Sequence, residues 1–448
     1  MAGEWKTVPF VDVIDIISGG TPRTSEFDYW DGEIPWLSVA DFNTGFRWVG
    51  TAEKSITEKG LNESATALLG PNDIIISARG TVGAIAQLSR PMAFNQSCYG
   101  IKARTDRATS DFIYYALRCR VEEMKRVAHG GVFNTITRDT FKLLQCDLPP
   151  LAEQRAIAHI LGTLDDMIEL NRRMNETLEG IARAVFKSWF VDFDSVRAKA
   201  EGRDPGLPKP IADLFPDSFV NSELGEIPRG WGVESFAATI EIIGGGTPKT
   251  NVPEYWDGEI PWFSVVDAPK EFDIWVVRTE KKITQKGVEN SSTRVLPKGS
   301  TIISARGTVG KIALVGIPMA MNQSCYGLRG KHNRDGSFTY FATRDLVSSL
   351  KQRAHGSVFD TITRETLAGV KIIVPPASIV EAFEQMVHPK LERMRGNLLE
   401  CHALATLRDT LLPKLISGGI RVKDAERFGD HRVGESARSQ RAGRKRSP

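Results

Sequence analysis

The chain has 448 residues, and its 41% hydrophobic and 25% charged side chains suit a water-soluble globular protein of two or three domains. No run approaches the roughly 18 unbroken apolar residues of a membrane span, and MAGEWKTVPF lacks a basic segment followed by an apolar stretch, so a cytoplasmic, non-secreted protein without membrane contact is expected. Nine of the 58 Lys/Arg and four of the 55 Asp/Glu lie in the last 28 residues, leaving 49 basic against 51 acidic side chains in a near-neutral body whose composition does not announce a nucleic-acid binder.

In chain order, residues 1–150 mix short strands and helices. Gly19-Gly20-Thr21-Pro22 opens the pattern, Tyr29-Trp30-Asp31-Gly32-Glu33-Ile34-Pro35-Trp36 follows, and the run Ile74-Ile75-Ile76 predicts a buried strand. Segment 111–127 has helical spacing. After Pro149-Pro150 the character changes, with no Pro and only two Gly from Leu151 to about Asp192. Apolar residues there follow a heptad: Ile157, Leu164, Asn171, Leu178 and Val185 at one core position, and Ile160, Met167, Met174 and Ile181 at the other. Asn171 is the polar member expected to fix register. Residues 151–194 thus form a helical spacer, and 195–222, with Asp204-Pro205-Gly206-Leu207-Pro208-Lys209-Pro210, a Pro-rich connector. Residues 223–376 form a second mixed domain, with Thr301-Ile302-Ile303 as a strand and 337–353 as a helix. A second helix, 377–417, has a looser seam through Val387, Leu391, Met394, Leu398, Cys401, Ala405 and Leu412. The remainder, 418–448, is a basic tail without periodicity.

The second domain is the first written again. The offset is 226 residues up to Asp41, 227 from Glu53 to Gly100, and 226 from Ala128 onward. Gly245-Gly246-Thr247-Pro248 repeats the first turn, and Tyr255 to Trp262 repeats Tyr29 to Trp36 unchanged. Ser77-Ala78-Arg79-Gly80-Thr81-Val82-Gly83 returns as Ser304 to Gly310, Asn95 to Gly100 as Asn322 to Gly327, and Thr135-Ile136-Thr137-Arg138 as Thr361 to Arg364. A unit this long is a duplicated domain and not a solenoid repeat. The expected fold class is α+β, with two homologous domains in tandem separated by two long helices that form an antiparallel coiled coil. Each helix of about 40 residues would run about 60 Å. The alternative is that each helix packs on its own domain.

Catalytic motifs are missing. Gly307-Thr308-Val309-Gly310-Lys311 has the wrong spacing for a phosphate loop, and the Pro-Pro pairs follow Leu148 and Val374 where an adenine methyltransferase has Asp or Asn before Pro-Pro-aromatic. Five cysteines without a CxxC pair and seven histidines without zinc-ligand spacing predict neither disulfides nor a metal site. No catalytic residue is assigned, and the chain is read as a non-enzyme.

The combination of the duplicated motifs with Leu148-Pro149-Pro150-Leu151-Ala152-Glu153-Gln154, Phe186-Lys187-Ser188-Trp189-Phe190-Val191-Asp192-Phe193-Asp194 and Leu224-Gly225-Glu226-Ile227-Pro228-Arg229-Gly230-Trp231 resembles the specificity subunits of type I restriction-modification systems. The likeness covers nearly the whole chain except the tail. It departs where Ala377-Ser378-Ile379-Val380 replaces the Leu-Ala-Glu-Gln of the first helix, which suggests unequal partner contacts at the two ends. The resemblance implies two target-recognition domains, each reading half of a split sequence in double-stranded DNA, with the helices as a ruler that binds two modification (methyltransferase) subunits. Restriction (endonuclease/translocase) subunits would join that core. It also implies no cofactor on this chain, with S-adenosylmethionine, ATP and Mg on the partners. Similar readers on antiparallel helices imply a partly palindromic target.

Base readout needs side chains that reach base edges, while phosphate contacts position the protein. Arg79 and Arg306, each followed by a Gly-Thr (Thr81, Thr308), suit guanine or phosphate, or alternatively a salt bridge bracing the turn. Thr21, Arg23, Thr247 and Lys249 follow Gly-Gly turns and are candidate phosphate donors. Asn95, Gln96, Asn322 and Gln323 can read adenine edges or brace loops, and His129 and His355 can be contacts or structural. Trp30, Trp36, Trp256 and Trp262 are assigned to the core. Differences between half-sites are sought where the copies diverge: Asn43 and Arg47 in the loop 42–48, Lys270 in 268–275, and Asn134 against Asp360.

Overall fold

The computed structural model of the chain describes residues 5–129, 135–269, 273–332, 334–353 and 361–422. These form two compact units, one of residues up to Glu169 together with those from His402 onward, the other Leu170–Cys401.

In the first unit a five-stranded sheet runs in the order Ile14–Ser18, Cys98–Ala103, Ile74–Ser77, Ile85–Leu88, Trp48–Val49. Its central strand explains the triple isoleucine. Ile74 and Ile76 point to a core shared with the helix Ser110–Cys119, whereas Ile75 packs with Phe94 and Met92 of a second sheet. All three are fully buried, as a strand covered on both faces demands. The second sheet has the order Lys54–Ile56, Trp30–Leu37, Met92–Phe94, Leu68–Leu69. Lys6–Pro9 pairs antiparallel with Gln145–Leu148 and closes the domain.

The second unit repeats this plan. Ile240–Gly244, Cys325–Gly330, Thr301–Ser304, Ile312–Val315 and Trp275–Val276 form the five-stranded sheet, and Gly232–Ser235 pairs with Lys371–Val374. Registers coincide: Tyr99 faces Ser18 and Ile76, and Tyr326 faces Gly244 and Ile303. Each unit is thus an α+β domain of the kind the duplication predicts.

The long helices are Leu151–Phe190 and Ala377–Ile416, and each unit contains a stretch of both. In the first unit Ile157 and Leu161 of one helix and Leu412, Leu415 and Ile416 of the other share the domain core. In the second, Phe186 lies 5.9 Å from Phe383, ring centre to ring centre. Partners rise along one helix as they fall along the other, so the pair is antiparallel. Both expected arrangements are therefore realised, since the helices pair with each other and with the domains.

The buried line on the first helix differs from the expected heptad. Met167 and Ile181 are 40% and 42% exposed, while Ala158, Leu161, Asp165, Asn175, Glu179, Ala182 and Phe186 are buried, one position along at the same period. The apolar pattern misled because the true seam is partly polar and internally paired. Asp165 Oδ1 accepts from Arg408 Nη1 at 2.6 Å. Asn397 Nδ2 donates to Asn175 Oδ1 at 2.8 Å, and Asn175 Nδ2 to the Met394 carbonyl at 3.2 Å. Glu179, 3% exposed in its side chain, pairs with Arg344 of the second domain's helix Ser337–Arg353. Asn171 is buried as expected and hydrogen-bonds Cys401, whose thiol burial pushes up to about 11. The 226-residue repeat carries Asn171 onto Asn397 and Asn175 onto Cys401, so these two bonded pairs are exchanged by the duplication. On the second helix Val387, Leu391, Met394 and Leu412 are buried as the seam predicts.

The Pro-rich segment 195–222 is a folded connector. It begins as the helix Asp194–Ala200, buries Val196 and Phe215, and ends in a hairpin of Phe219–Ser222 with Gly225–Pro228. Aromatic burial drives this: Phe186, Trp189, Phe190 and Phe193 pack with Phe215, Trp231 and Phe383 in one core.

Where the first helix starts, Glu153 is 5% exposed and accepts from Arg421 at 2.7 and 2.8 Å and from Trp5 Nε1 at 3.0 Å. Neighbouring Gln154 accepts from the Thr109 amide at 2.9 Å and donates to the carbonyls of Arg107 and Pro149. At the matching positions of the second copy Ile379 and Val380 are fully buried, and the indole N–H of Trp231 has no hydrogen-bond partner among the described residues. Burial raises the Glu153 pKa, but the bonds from Arg421 and Trp5 outweigh it and hold the carboxyl below its usual range. A depressed folded pKa contributes stability above the unfolded value, and that contribution is lost as pH falls through the folded value. The destabilisation caused by Arg421→Ala should therefore be constant near neutrality and shrink only under acid conditions, measured as Tm against pH.

Candidate nucleic-acid interface

The Gly-Gly turns are close approaches. A Cβ on Gly19 would stand 2.1 Å from the Asn95 carbonyl oxygen, and one on Gly245 would stand 1.9 Å from that of Asn322. Each turn is held from below by the two tryptophans of its Trp-Asp-Gly-Glu-Ile-Pro-Trp strand. Trp36 Nε1 donates to the Gly20 carbonyl at 3.0 Å and Trp30 Nε1 to that of Arg23 at 3.1 Å. Trp262 and Trp256 do the same to Gly246 and Lys249, at 3.0 and 3.2 Å. The ring pairs meet edge to face, 5.3 and 5.2 Å apart. Trp36 and Trp262 are buried and Trp30 and Trp256 half-buried, so the core assignment is refined to a clamp that leaves the Arg23 and Lys249 side chains exposed.

Three further segments join each turn. Gly20 N donates to the Phe94 carbonyl at 3.0 Å, Ala78 N to Ser97 at 2.8 Å, and Ile136 N to Ala78 at 3.0 Å. The second unit repeats this with Gly246 to Met321, Ala305 to Ser324 and Ile362 to Ala305. Thr21 and Gln96 side chains hydrogen-bond, as do Thr247 and Gln323. Each domain thus brings Thr21, Arg23, Arg79, Thr81, Asn95 and Gln96, or Thr247, Lys249, Arg306, Thr308, Asn322 and Gln323, to one loop cluster.

The Arg-Gly-Thr loop is rigid for a local reason. Ser77 Oγ accepts from the Ala84 amide at 2.8 Å and donates to the Thr81 carbonyl, and Ser304 makes the same pair of bonds with Lys311 and Thr308. Gly80 and Gly83 adopt φ of 75° and 86°, a left-handed conformation that glycine takes without strain. Arg79 and Arg306 are exposed at the tip. Among the described residues no ion pair or side-chain hydrogen bond engages either guanidinium. Sequence reasoning overlooked Arg138 and Arg364. Both are exposed, and they donate to Ser18 Oγ at 3.2 Å and to the Ile242 carbonyl at 3.1 Å, which adds a third cation to each cluster. Their identity in the two copies was the available signal.

Arg47 does not belong to the cluster. It is 4% exposed, donates to Gln87 Oε1 at 2.6 Å and to Asp111 Oδ1 at 2.5 Å, and lies over the Trp48 ring at 4.6 Å. It lines a cavity of about 150 Å³ with Trp48, Asp165 and Arg408, against the helices. In the second copy Ile274, Leu314 and Ser337 occupy the positions of Arg47, Gln87 and Asp111, all buried. The loop that diverges most therefore records a change of core, polar in one copy and apolar in the other. Arg47→Ile alone leaves Asp111, 17% exposed, without its cation and should cost about 2–3 kcal/mol. Adding Gln87→Leu and Asp111→Ser should recover most of that loss in denaturant unfolding. Asn43 is exposed at the end of the short helix Val39–Phe42. Asn134, Lys270, His355, Asp360, the side chain of His129 and the tail 423–448 lie outside the described residues.

Among the described residues no group of acidic, His or Cys side chains is placed to hold a metal, and no helix is long and apolar enough to cross a membrane. All five cysteines are free, and burial raises the thiols of Cys98, Cys146 and Cys325 to about 12.

The model of the type I restriction modification DNA specificity domain matches residues 2–180 and 228–397, more than three quarters of the chain. The MjaIX specificity subunit of Methanocaldococcus jannaschii, a type I restriction enzyme subunit, is 26% identical over 430 residues, 94% of each chain. The HindI specificity subunit of Haemophilus influenzae is 28% identical over 345 residues, 67% of this chain and 74% of its own. The crystal structure of a type I restriction-modification S subunit from M. genitalium aligns with a TM-score of 0.56 at 17% identity, over 92% of this chain and 96% of that one, and shares its fold. The chain belongs to the family of type I restriction-modification DNA specificity subunits and carries its recognition domain twice.

Proposed function

We propose that this chain reads a bipartite, partly palindromic target in double-stranded DNA and directs adenine methylation or restriction by partner subunits. The observation that supports it most is the pair of matched loop clusters, each with an exposed arginine on a serine-braced turn and two further cations beside it. Like readers carried on antiparallel helices suit like half-sites on opposite strands. As a specificity subunit the chain is not itself catalytic. Two modification subunits would supply S-adenosylmethionine chemistry, and restriction subunits ATP- and Mg-dependent translocation and cleavage, in the cytoplasm.

The body is near neutral, so attraction to DNA must come from these local cations. Binding of the chain, assembled with its modification subunits, to duplex DNA should weaken linearly in log–log form as salt rises, in proportion to the phosphates neutralised. A complex that shows neither salt-dependent binding nor preference for any duplex contradicts the reading.

A further inference from the structure

The structure separates two neighbouring amides that the sequence treats alike. Asn95 turns its side chain inward, with Oδ1 accepting from the Ser97 amide at 3.0 Å. Asn322 does the same with Ser324, also at 3.0 Å. That is an Asx turn, which shapes the loop and aims the carboxamide at its own backbone. Gln96 and Gln323 are exposed, and each is held at Oε1 by a threonine hydroxyl from the Gly-Gly-Thr-Pro turn. That turn is in turn fixed by two tryptophan N–H bonds and by a glycine with no room for a side chain.

We propose that Gln96 and Gln323 each read an adenine at equivalent positions of the two half-sites, with Thr21 and Thr247 as their positioning residues. The proposal rests on the DNA-reading function above. A carboxamide anchored at one Oε1 lone pair keeps the other lone pair and both Nε2 hydrogens, the set that pairs with adenine N6 and N7 in the major groove. Its oxygen is anchored before DNA arrives, which base reading needs and phosphate contact does not. Arg79 and Arg306 have no such anchor among the described residues. Because the device is the same in both copies, the two half-sites share this base pair when read on opposite strands.

The test uses the full chain assembled with its modification subunits. The target is first mapped from the N6-methyladenine pattern of the host, and duplexes carrying every single base-pair change in it are then compared. Gln96→Ala should relax discrimination at one A·T pair of one half-site by about 5- to 100-fold. Gln323→Ala should do so at the equivalent pair of the other, with binding to non-target DNA unchanged. Thr21→Val should give a smaller relaxation at the same pair, and Thr21→Ser none. Uniform weakening, no relaxation, or relaxation at non-equivalent pairs overturns the proposal while sequence-specific binding by the unaltered complex leaves the proposed function standing. Intact discrimination in Thr21→Val beside a relaxed Gln96→Ala overturns the positioning role. If the unaltered complex discriminates among no duplexes, the proposed function itself fails.

Discussion

Asp165→Ala is expected to destabilise the first unit by about 3–5 kcal/mol, the cost of leaving buried cationic partners without their carboxylate. Asp165 is 6% exposed and serves three groups at once. Oδ1 accepts from Arg408 of the second helix at 2.6 Å, Oδ2 from the Tyr115 hydroxyl of the domain at 2.6 Å, and Arg118 stands 3.6 Å away. Arg408 itself is 9% exposed in its side chain, and its remaining ion-pair partner, Asp409, is largely open to water, where a pair contributes little. Burial disfavours the Arg408 cation, but its bonds to Asp409 and Asp165 outweigh that and raise its pKa. Removing the carboxylate turns that balance against folding. Asp165→Asn, which keeps an acceptor without the charge, should lose less. The midpoint of denaturant unfolding distinguishes them, and a change below about 1 kcal/mol for Asp165→Ala would show that the seam is not held by this group.

Arg79→Ala and Arg306→Ala should each lower the slope of log affinity against log salt by about 0.9, and the double substitution by about twice that. Affinity at fixed salt should fall about tenfold or more for each lost charge-assisted bond. The target sequence should stay the same, because exposed arginines with no anchor among the described residues position the protein on phosphates without discriminating between bases. A loss confined to duplexes altered at one base pair contradicts this and makes the arginines guanine readers. Since both side chains are exposed, neither substitution should disturb the domains, and unfolding midpoints should stay within about 0.5 kcal/mol of the unaltered chain.

The duplication was legible because identical runs such as Tyr29–Trp36 and Tyr255–Trp262 need no physical model to be seen, and the strand Ile74–Ser77 because burial on both faces leaves an unbroken apolar run. The length of the first helix followed from its missing prolines, and that of the second, which holds Pro389 and Pro413, from the spacing of its apolar residues alone. Their seam did not: hydrophobicity places it on Met167 and Ile181, whereas Asp165, Asn175 and Glu179 are buried through partners more than 160 residues away in sequence. The same blindness put Arg47 on the DNA, since nothing local announces Gln87 and Asp111 as its partners. The fold of segment 195–222 was not legible because its prolines are visible, while the aromatic core that folds it is assembled from separate stretches of chain. In the loop clusters the residue types were legible, but the split between bracing Asn95 and exposed Gln96 rests on hydrogen bonds that a sequence does not display.

The central claim is that one duplicated reader sees two related half-sites. Mapping N6-methyladenine across the host genome, with the chain present and with it deleted, tests this directly. The account predicts a split motif that disappears on deletion and whose halves share bases when read on opposite strands. A motif unaffected by deletion, or one with two unrelated halves, would contradict it.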